Sequence, residues 1–212
     1  VVVTRSDHDA NVRPWVLAAQ WSGAKLRWID IDPVDCTHNI DSIEHNINEN
    51  TVMVAIGAAS NFSGTINDVK GICSKAHSFG AEVFVDAVHY APHALIDVQE
   101  LGCDYLACSS YKFFGTHQGI LWGNYNRLAE LPVAKLRVSS EEVPFRWMTG
   151  TQSHESMAGT LAAIEHLAWL GRNISNEDLS RREALSVAFS AIEIYESELC
   201  WSMIQGLQEI DG

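Results

Sequence analysis

Basic residues are scarce in this chain of 212 residues. Lys and Arg together number 14, against 27 Asp and Glu, and the formal net charge is −13. A surface with this excess of negative charge repels the phosphate backbone of nucleic acids and the anionic surface of membranes. The composition therefore argues against nucleic acid or a membrane as a partner.

Paired cysteines and long apolar runs are also missing. The five cysteines are odd in number and show no C-x-x-C spacing, so the sequence predicts neither a disulfide framework nor a zinc knuckle. No apolar run approaches the roughly 20 residues of a transmembrane helix. With 47% hydrophobic residues the chain can nevertheless bury a core. These features favour a folded protein of the reducing cytoplasm.

Both ends of the sequence lack flanking segments. The strand-like run VVVT begins at Val1, with no turn or lead-in before it. At the other end, the stretch from Asn176 to Gly212 has the pattern of one long amphipathic helix, and nothing follows it to cover its apolar face. We therefore expect a chain that is truncated at both ends.

Short β-forming runs alternate with helical patterns along the chain. Most of the runs are apolar throughout, which is typical of strands covered on both faces. Together with the helices they predict an α/β fold with a mostly parallel sheet sandwiched by helices. The last two runs are too close in sequence for a helical crossover, so this pair is predicted to be antiparallel. The runs are VVVT, Leu26–Ile31, Thr51–Ala58, Glu82–Ala87, Tyr105–Ser110 and Gly119–Gly123, and the helical patterns before the last helix are 12–22, 40–48, 68–79 and 152–170.

Polar residues suited to catalysis stand where the predicted strands end. Lys112 follows the run YLACSS and is flanked by Tyr111 and Phe113. A lysine desolvated by aromatic neighbours has a lowered pKa, and its neutral amine can form a Schiff base with an aldehyde. Pyridoxal phosphate is such an aldehyde, and its ring nitrogen must be kept protonated by a nearby carboxylate. Asp86, at the end of the run EVFVDA, is the candidate for that carboxylate.

Nearby residues can meet the remaining needs of this cofactor. His89 is a candidate partner for the phenolic oxygen of the ring. Phosphate requires hydroxyl and backbone N–H donors, which Ser109, Ser110 and Gly115 can offer. Each residue alone has a plainer explanation, because a lysine beside aromatics is usually a snorkelling surface residue and an aspartate at a strand end is usually a cap. Only the joint arrangement favours a cofactor site.

The joint arrangement resembles a known family. The segments DAVH (Asp86–His89), DVQELGCDY (Asp97–Tyr105) and SSYKFFG (Ser109–Gly115) are similar to motifs of the class V aminotransferases, which are fold type I pyridoxal phosphate enzymes. Within that family the sequence most resembles the branch of the cysteine desulfurases and selenocysteine lyases. The resemblance implies a lyase or transferase that acts on a small amino acid through a lysine Schiff base with pyridoxal 5'-phosphate.

The resemblance also implies catalytic and ring-binding roles for individual residues. Lys112 would form the Schiff base, and Asp86 would bind the pyridine nitrogen. His8, within DHDANVRPW, would stack on the ring. Asn61, within SNFSGTIND, and His89 would contact the ring near its phenolic oxygen.

The same resemblance implies an arrangement of subunits and domains. Ser109 would bind the phosphate, and Thr151, within TGTQSHE, would reach the phosphate of a neighbouring subunit in a homodimer. Residues 1–172 correspond to the large domain without its N-terminal segment, and residues 173–212 correspond to the first helix of the C-terminal small domain. Family members have a phosphate-binding loop and a substrate-binding arginine in the missing segments, so we expect little activity from this chain.

Two positions depart from the desulfurase pattern. Tyr111 stands where desulfurases typically have a histidine, and Thr116 stands where a proline is common. None of the five cysteines lies where the persulfide-forming cysteine of desulfurases would be. The identity of the amino-acid substrate is therefore left open.

Two other functions are compatible with the sequence. His89 and His93, with Asp86 and Asp97 nearby, would suit a metal-dependent hydrolase, and so would His8, which lies between two aspartates. Pro92 interrupts a helix between the first two histidines, however, and no third ligand is fixed. We predict no metal site. The other possibility is a catalytically inactive, dimerising remnant of the same fold, which the truncated ends favour and the intact set of cofactor residues disfavours.

Overall fold

A single six-stranded sheet organises the computed structural model, which describes residues 1–148 and 150–210. The strands are β1 (Val2–Thr4), β2 (Arg27–Ile29), β3 (Met53–Gly57), β4 (Glu82–Asp86), β5 (Tyr105–Ser109) and β6 (Gly119–Gly123). Their order is β2-β1-β3-β4-β5-β6. All neighbouring strands are parallel except β5 and β6, which are antiparallel. The predicted α/β sheet and its antiparallel last pair are both confirmed.

Apolar residues of the inner strands form the core of the sheet. Val54, Ala55 and Ile56 of β3 are fully buried, as expected for a strand covered on both faces. The last strand is different, because β6 lies at the edge of the sheet and none of its residues is buried. Its Leu121 is about half exposed. The apolar pattern of β6 alone did not distinguish an edge strand from an inner one.

The structure describes seven α-helices, and local sequence explains several of their ends. The backbone after α1 turns at Gly23, whose φ of +72° suits glycine. The Asp68 side chain accepts the Gly71 N–H at the start of α3, and Ser180 and Glu183 form a capping box at the start of α7. The helices are α1 (Arg13–Ser22), α2 (Ile40–Asn46), α3 (Val69–Ser78), α4 (Val98–Leu101), α5 (Tyr125–Glu130), α6 (His154–Ser175) and α7 (Arg181–Gln208).

Four helices differ from their predicted bounds by several residues or were not predicted. Helix α6 continues to Ser175 instead of ending at residue 170, and the short helices α4 and α5 were missed. The last helix is shorter than predicted and ends at Gln208; residues 211 and 212 of the predicted range lie outside the described residues. No described helix is both long enough and apolar enough to cross a membrane.

The chain forms two compact units. One contains the whole sheet and is built from Val1–Tyr90, Asp97–Ser109 and Gly119–His154. The other is built from Ala91–Ile96, Ser110–Gln118 and the chain from Glu155 onward, which includes nearly all of α6 and the whole of α7. The domain boundary predicted between residues 172 and 173 falls in the last turn of α6 and stays a prediction.

The strand order indicates that a site lies at the carboxyl ends of the central strands. The chain passes from β1 to its neighbour β2, and then to β3 on the opposite side of β1. Where the order reverses in this way, the loops after the two central strands separate and leave a crevice at the carboxyl ends of the strands. The segments that follow β1 and β3 contain His8 and Asn61, two of the predicted site residues.

Candidate functional site

Asp86 is the last residue of β4, and its carboxylate is half-buried. Its Oδ1 accepts the N–H of Val88 at 2.9 Å, which fixes the carboxylate in the turn after the strand. Across the described part of the chain, the other oxygen, Oδ2, has no hydrogen-bond partner. A carboxylate that is held by one oxygen and open at the other suits a cationic N–H group, such as a protonated pyridine nitrogen.

The end of the neighbouring strand β5 provides Ser109, a half-buried hydroxyl residue. Asp86 pairs with Ala107 in the sheet register, so Ser109 lies two residues beyond the partner of Asp86. Cys108 between them is half-buried, and burial together with the Asp86 charge raises its pKa. A thiol with a raised pKa is a weak nucleophile, so Cys108 is better suited to packing than to catalysis.

His8 lies in the segment after β1, and its side chain is exposed. It caps a short 3-10 helix, Asp9–Asn11, because its Nδ1 accepts the N–H of Ala10 at 3.1 Å. This bond fixes the position of the imidazole and leaves its faces open to solvent. The arrangement is compatible with the predicted stacking role.

Asp7, the residue before His8, is a candidate residue of the cofactor site that was not predicted from the sequence. Both of its carboxylate oxygens accept the N–H of Gly57 at 2.9 Å, and its Oδ2 also accepts Asn11 Nδ2 at 2.8 Å. Burial raises the pKa of Asp7 to about 6, and the negative charge of Asp86 adds to this shift. The two carboxylates are thus close enough to interact. An acid directly before the predicted stacking histidine was the signal available in the sequence.

Three further predicted residues lie in loops of the sheet-containing unit. Asn61 is exposed in the turn after β3, where Ser60 Oγ donates to the backbone oxygen of Ser6 at 3.3 Å and so connects this turn to the segment after β1. His89 is half-buried in the turn after Asp86, and Thr151 is exposed. Their contacts with a cofactor stay predictions.

Lys112 belongs to the other compact unit, in a 3-10 turn at Ser110–Phe113. The lysine is exposed, and its Nζ lies 5.3 Å from the centroid of the Tyr111 ring. That ring stacks on His117 with centroids 5.0 Å apart. The expectation that aromatic neighbours desolvate Lys112 is therefore wrong for this chain. The Tyr111 ring lies on one side of the amine, and the lysine is otherwise exposed to solvent.

The turn that contains Lys112 is held by its own hydrogen bonds. Ser110 is fully buried; its Oγ donates to the Thr116 carbonyl at 2.6 Å and accepts from Thr160 Oγ1 at 3.0 Å. The N–H of Gly115 donates to the Ser110 carbonyl at 2.8 Å. Ser110 and Gly115 were predicted as phosphate contacts, and this prediction is wrong because their polar groups are already used inside the turn.

The alternative metal site has no support in the geometry. His89 and His93 lie in turns between β4 and α4 and not on a helix, so their i, i+4 spacing does not place them on one face. Among residues 1–148 and 150–210, no group of three or more His, Cys, Asp or Glu side chains is arranged to hold a metal ion.

Solved cysteine desulfurases share the fold of this chain. The apo cysteine desulfurase of Thermococcus onnurineus NA1 matches 98% of the chain with a TM-score of 0.80 at 24% identity, and the chain covers 51% of that structure. The cysteine desulfurase CsdA of Escherichia coli matches 86% of the chain with a TM-score of 0.73 at 27% identity, and 46% of that structure is covered. The fold is therefore that of the fold type I enzymes.

Sequence comparison identifies the family. The family model described as aminotransferase class-V matches residues 1–200, and the chain belongs to that family. A probable cysteine desulfurase of Halalkalibacterium halodurans is 34% identical over the whole chain, which covers 51% of that protein. A cysteine desulfurase of Enterobacter sp. strain 638 is 34% identical over 81% of the chain and 45% of its own length. The chain spans about half the length of the curated relatives it matches.

Proposed function

We propose that this chain binds pyridoxal 5'-phosphate and belongs to a cysteine desulfurase-like enzyme that acts on a small amino acid. The main observation in support is the Asp86 carboxylate at the end of β4, which is fixed through Oδ1 and open at Oδ2. It occurs in a chain that matches the class-V aminotransferase model over residues 1–200.

The Asp86 carboxylate, which is open at Oδ2, suits the protonated ring nitrogen of this cofactor. When bound, pyridoxal phosphate acts as an electron sink for an amino acid attached to it. The ionised Asp86 carboxylate would keep a positive charge on the ring nitrogen, and His8 would hold the ring by stacking. Ser109 would hold the phosphate, with Asn61 and His89 near the phenolic oxygen, and the Nζ of Lys112 would be the point of covalent attachment. Thr151 would reach the phosphate bound by a neighbouring subunit.

Cysteine is the first substrate to test, because the curated relatives named above are cysteine desulfurases. Tyr111 and Thr116 depart from the pattern that the sequence shares with that branch, so selenocysteine and other small amino acids should be compared with cysteine. A cysteine-specific mechanism requires a thiol acceptor. Burial raises the pKa of Cys73, Cys103 and Cys108, which makes these three thiols poor acceptors.

A cytoplasmic homodimer is the proposed state of the protein. All five cysteines are free, which suits a reducing compartment. Large apolar side chains of α7 are exposed and would be covered by a second subunit. Thr151 is exposed as well, as a residue that reaches a neighbouring subunit should be.

Covalent trapping tests the proposed function. The purified protein would be saturated with pyridoxal phosphate, reduced with borohydride and mapped by peptide mass spectrometry. We expect the phosphopyridoxyl group on Lys112 in the wild type. The same label is expected in the control Lys25→Ala, which removes another exposed lysine, and no specific label is expected in Lys112→Ala.

Two outcomes would contradict this proposal. Label distributed over surface lysines such as Lys25 would show that Lys112 has no special reactivity. No label under saturating cofactor would favour the alternative of a catalytically inactive, dimerising domain of the same fold.

A further inference from the structure

The Asp7 carboxylate joins the segment after β1 to the end of β3. Its two oxygens lie at equal distances of 2.9 Å from the Gly57 nitrogen. The approach is close, because a Cβ atom on Gly57 would lie 2.7 Å from Asp7 Oδ1. Gly57 is therefore the residue that lets the carboxylate reach the backbone of the strand.

The strand end that Asp7 holds is next to Asp86. Gly57 pairs with Asp86 in the parallel register of β3 and β4. The N–H of Ala58, the following residue, donates to the Asp86 carbonyl at 2.8 Å. Asp7 thus fixes the segment after β1 to the end of β3, and the end of β3 is hydrogen-bonded to Asp86. His8 is the residue after Asp7 in this segment.

A second set of contacts holds Asp7 from the other side. Asn11 is buried; its Nδ2 donates to Asp7 Oδ2 at 2.8 Å and its Oδ1 accepts Trp15 Nε1 at 3.2 Å. Trp15 packs edge-on against Phe84, two residues before Asp86 on β4, with ring centroids 5.4 Å apart. Both routes from Asp7 therefore lead to the strand of Asp86.

The donors around Asp7 require an acceptor at this position. A carboxylate accepts hydrogen bonds and donates none, whereas an amide would direct its NH2 group at one of these donors. A partly desolvated carboxylate close to Asp86 is costly, since burial and like charge both disfavour ionisation. This cost in free energy is explained if the Asp7 carboxylate is needed to hold the segment after β1 in place.

We propose that Asp7 is a positioning residue, which fixes His8 relative to Asp86 through its bonds to Gly57 and Asn11. The inference rests on the proposed function, in which His8 stacks on the cofactor ring and Asp86 binds the ring nitrogen. Asp7 itself touches neither the cofactor nor the substrate. Its role is to keep the stacking group and the charge partner at a constant separation.

Amide hydrogen exchange tests the positioning without any cofactor. The relevant amides are those of Gly57, which is bonded to Asp7, and Ala10, which is bonded to His8 Nδ1. We expect both amides to exchange at least about tenfold faster in Asp7→Ala, because lost hydrogen bonds of about 1.4 kcal/mol correspond to that factor. Asp9→Ala removes an exposed carboxylate on the other side of His8 and should change neither. Unchanged exchange at Ala10 in Asp7→Ala would overturn the inference.

A double-mutant cycle tests whether Asp7 acts through His8. Pyridoxal phosphate affinity and the visible circular dichroism of the bound cofactor would be measured for the wild type, Asp7→Ala, His8→Ala and the double variant. We expect Asp7→Ala and His8→Ala each to weaken binding by about tenfold, and the double variant to be no weaker than His8→Ala alone. Additive losses would mean that Asp7 contributes only general stability, and would also overturn the inference.

An exchange of the two side chains provides a rescue. In the variant with both Asp7→Asn and Asn11→Asp, the new amide can accept from Gly57 N–H and donate to the new carboxylate, which can still accept from Trp15 Nε1. We expect this variant to restore slow exchange at Ala10, whereas Asp7→Asn alone does not. No restoration would contradict the inferred bonding. If the wild type binds no cofactor, the proposed function fails, while the exchange data still decide the inference about Asp7.

Discussion

Burial moves the pKa values of Asp7 and His38 in opposite directions. It raises the pKa of Asp7 from 3.8 to about 6 and lowers the pKa of His38 from 6.5 to about 4. The stability linked to Asp7 is complete below pH 3.8 and is lost as the pH rises through about 6. The stability linked to His38 is complete above pH 6.5 and is lost as the pH falls through about 4. The two contributions therefore oppose each other across nearly the same pH range.

Replacing Asp7 should make the contribution of His38 to the pH dependence of stability measurable. In Asp7→Asn the free energy of unfolding should rise by about 2 to 3 kcal/mol between pH 4 and pH 6.5, because the shifted pKa of His38 is then no longer opposed by that of Asp7. The wild type should show a flatter profile. Urea unfolding at four pH values checks this, with Asp9→Asn as the exposed control. Parallel profiles for Asp7→Asn and the wild type would contradict the assigned pKa of Asp7.

The open oxygen of Asp86 gives a second prediction at the scale of one residue. Asp86→Asn keeps an acceptor for Val88 N–H but removes the negative charge that would stabilise a protonated ring nitrogen. In a full-length relative with the same DAVH segment, turnover should fall by about 100-fold or more while the fold is retained. Kinetics together with far-ultraviolet circular dichroism check this. Near-normal turnover would show that Asp86 does not bind the ring nitrogen.

Helices α6 and α7 meet closely at Gly171. A Cβ atom at this position would collide with the carbonyl oxygen of Ala184 in α7. Gly171→Ala should therefore lower the free energy of unfolding by about 1 to 3 kcal/mol, as for other overpacked sites. The matched control is Gly206→Ala in α7, where a Cβ meets no atom within 4 Å and helix propensity predicts a gain of up to about 1 kcal/mol. Urea denaturation distinguishes the two, and equal effects would contradict the close approach.

Secondary structure was predictable where short-range patterns determine it. All six strands were located from apolar runs, and the helices with clear periodicity were found to within a few residues. The short helices α4 and α5 were missed because four to six residues are too few to show a helical period. Their caps, Asp97 and Asn124, were the only local signals.

The candidate site was predictable only in part, because its loops are stabilised by contacts between distant residues. The positions of Asp86 and Ser109 at strand ends follow from the strand pattern. Asp7 bonds to a residue 50 positions away, and Ser110 bonds to Thr160, also 50 positions away. No local pattern encodes such pairs. The exposure of Lys112 was missed for the same reason, since neighbouring aromatic residues in sequence need not surround it in space.

The exposed apolar residues of α7 matter at the scale of the whole molecule. We predict a dimer at micromolar concentration, because a surface of this kind is stabilised by association. Sedimentation velocity checks this, and Trp201→Glu should shift the protein towards the monomer, whereas Trp21→Glu on α1 should not. A wild-type monomer would contradict the prediction. The exposed apolar residues of α7 are Ile194, Tyr195, Leu199, Trp201, Met203 and Leu207.

The segments of the two compact units alternate along the sequence, and this has a consequence for synthesis on the ribosome. The turn of Lys112 is complete only when Ser110 has bonded to Thr160, which is made 50 residues later. All six strands of the sheet have been translated before that residue appears. A nascent chain can therefore pair its strands while the lysine turn is still unfixed, and closing a loop of this length delays that step. The turn of Lys112 should therefore form late in translation, after the sheet has begun to form.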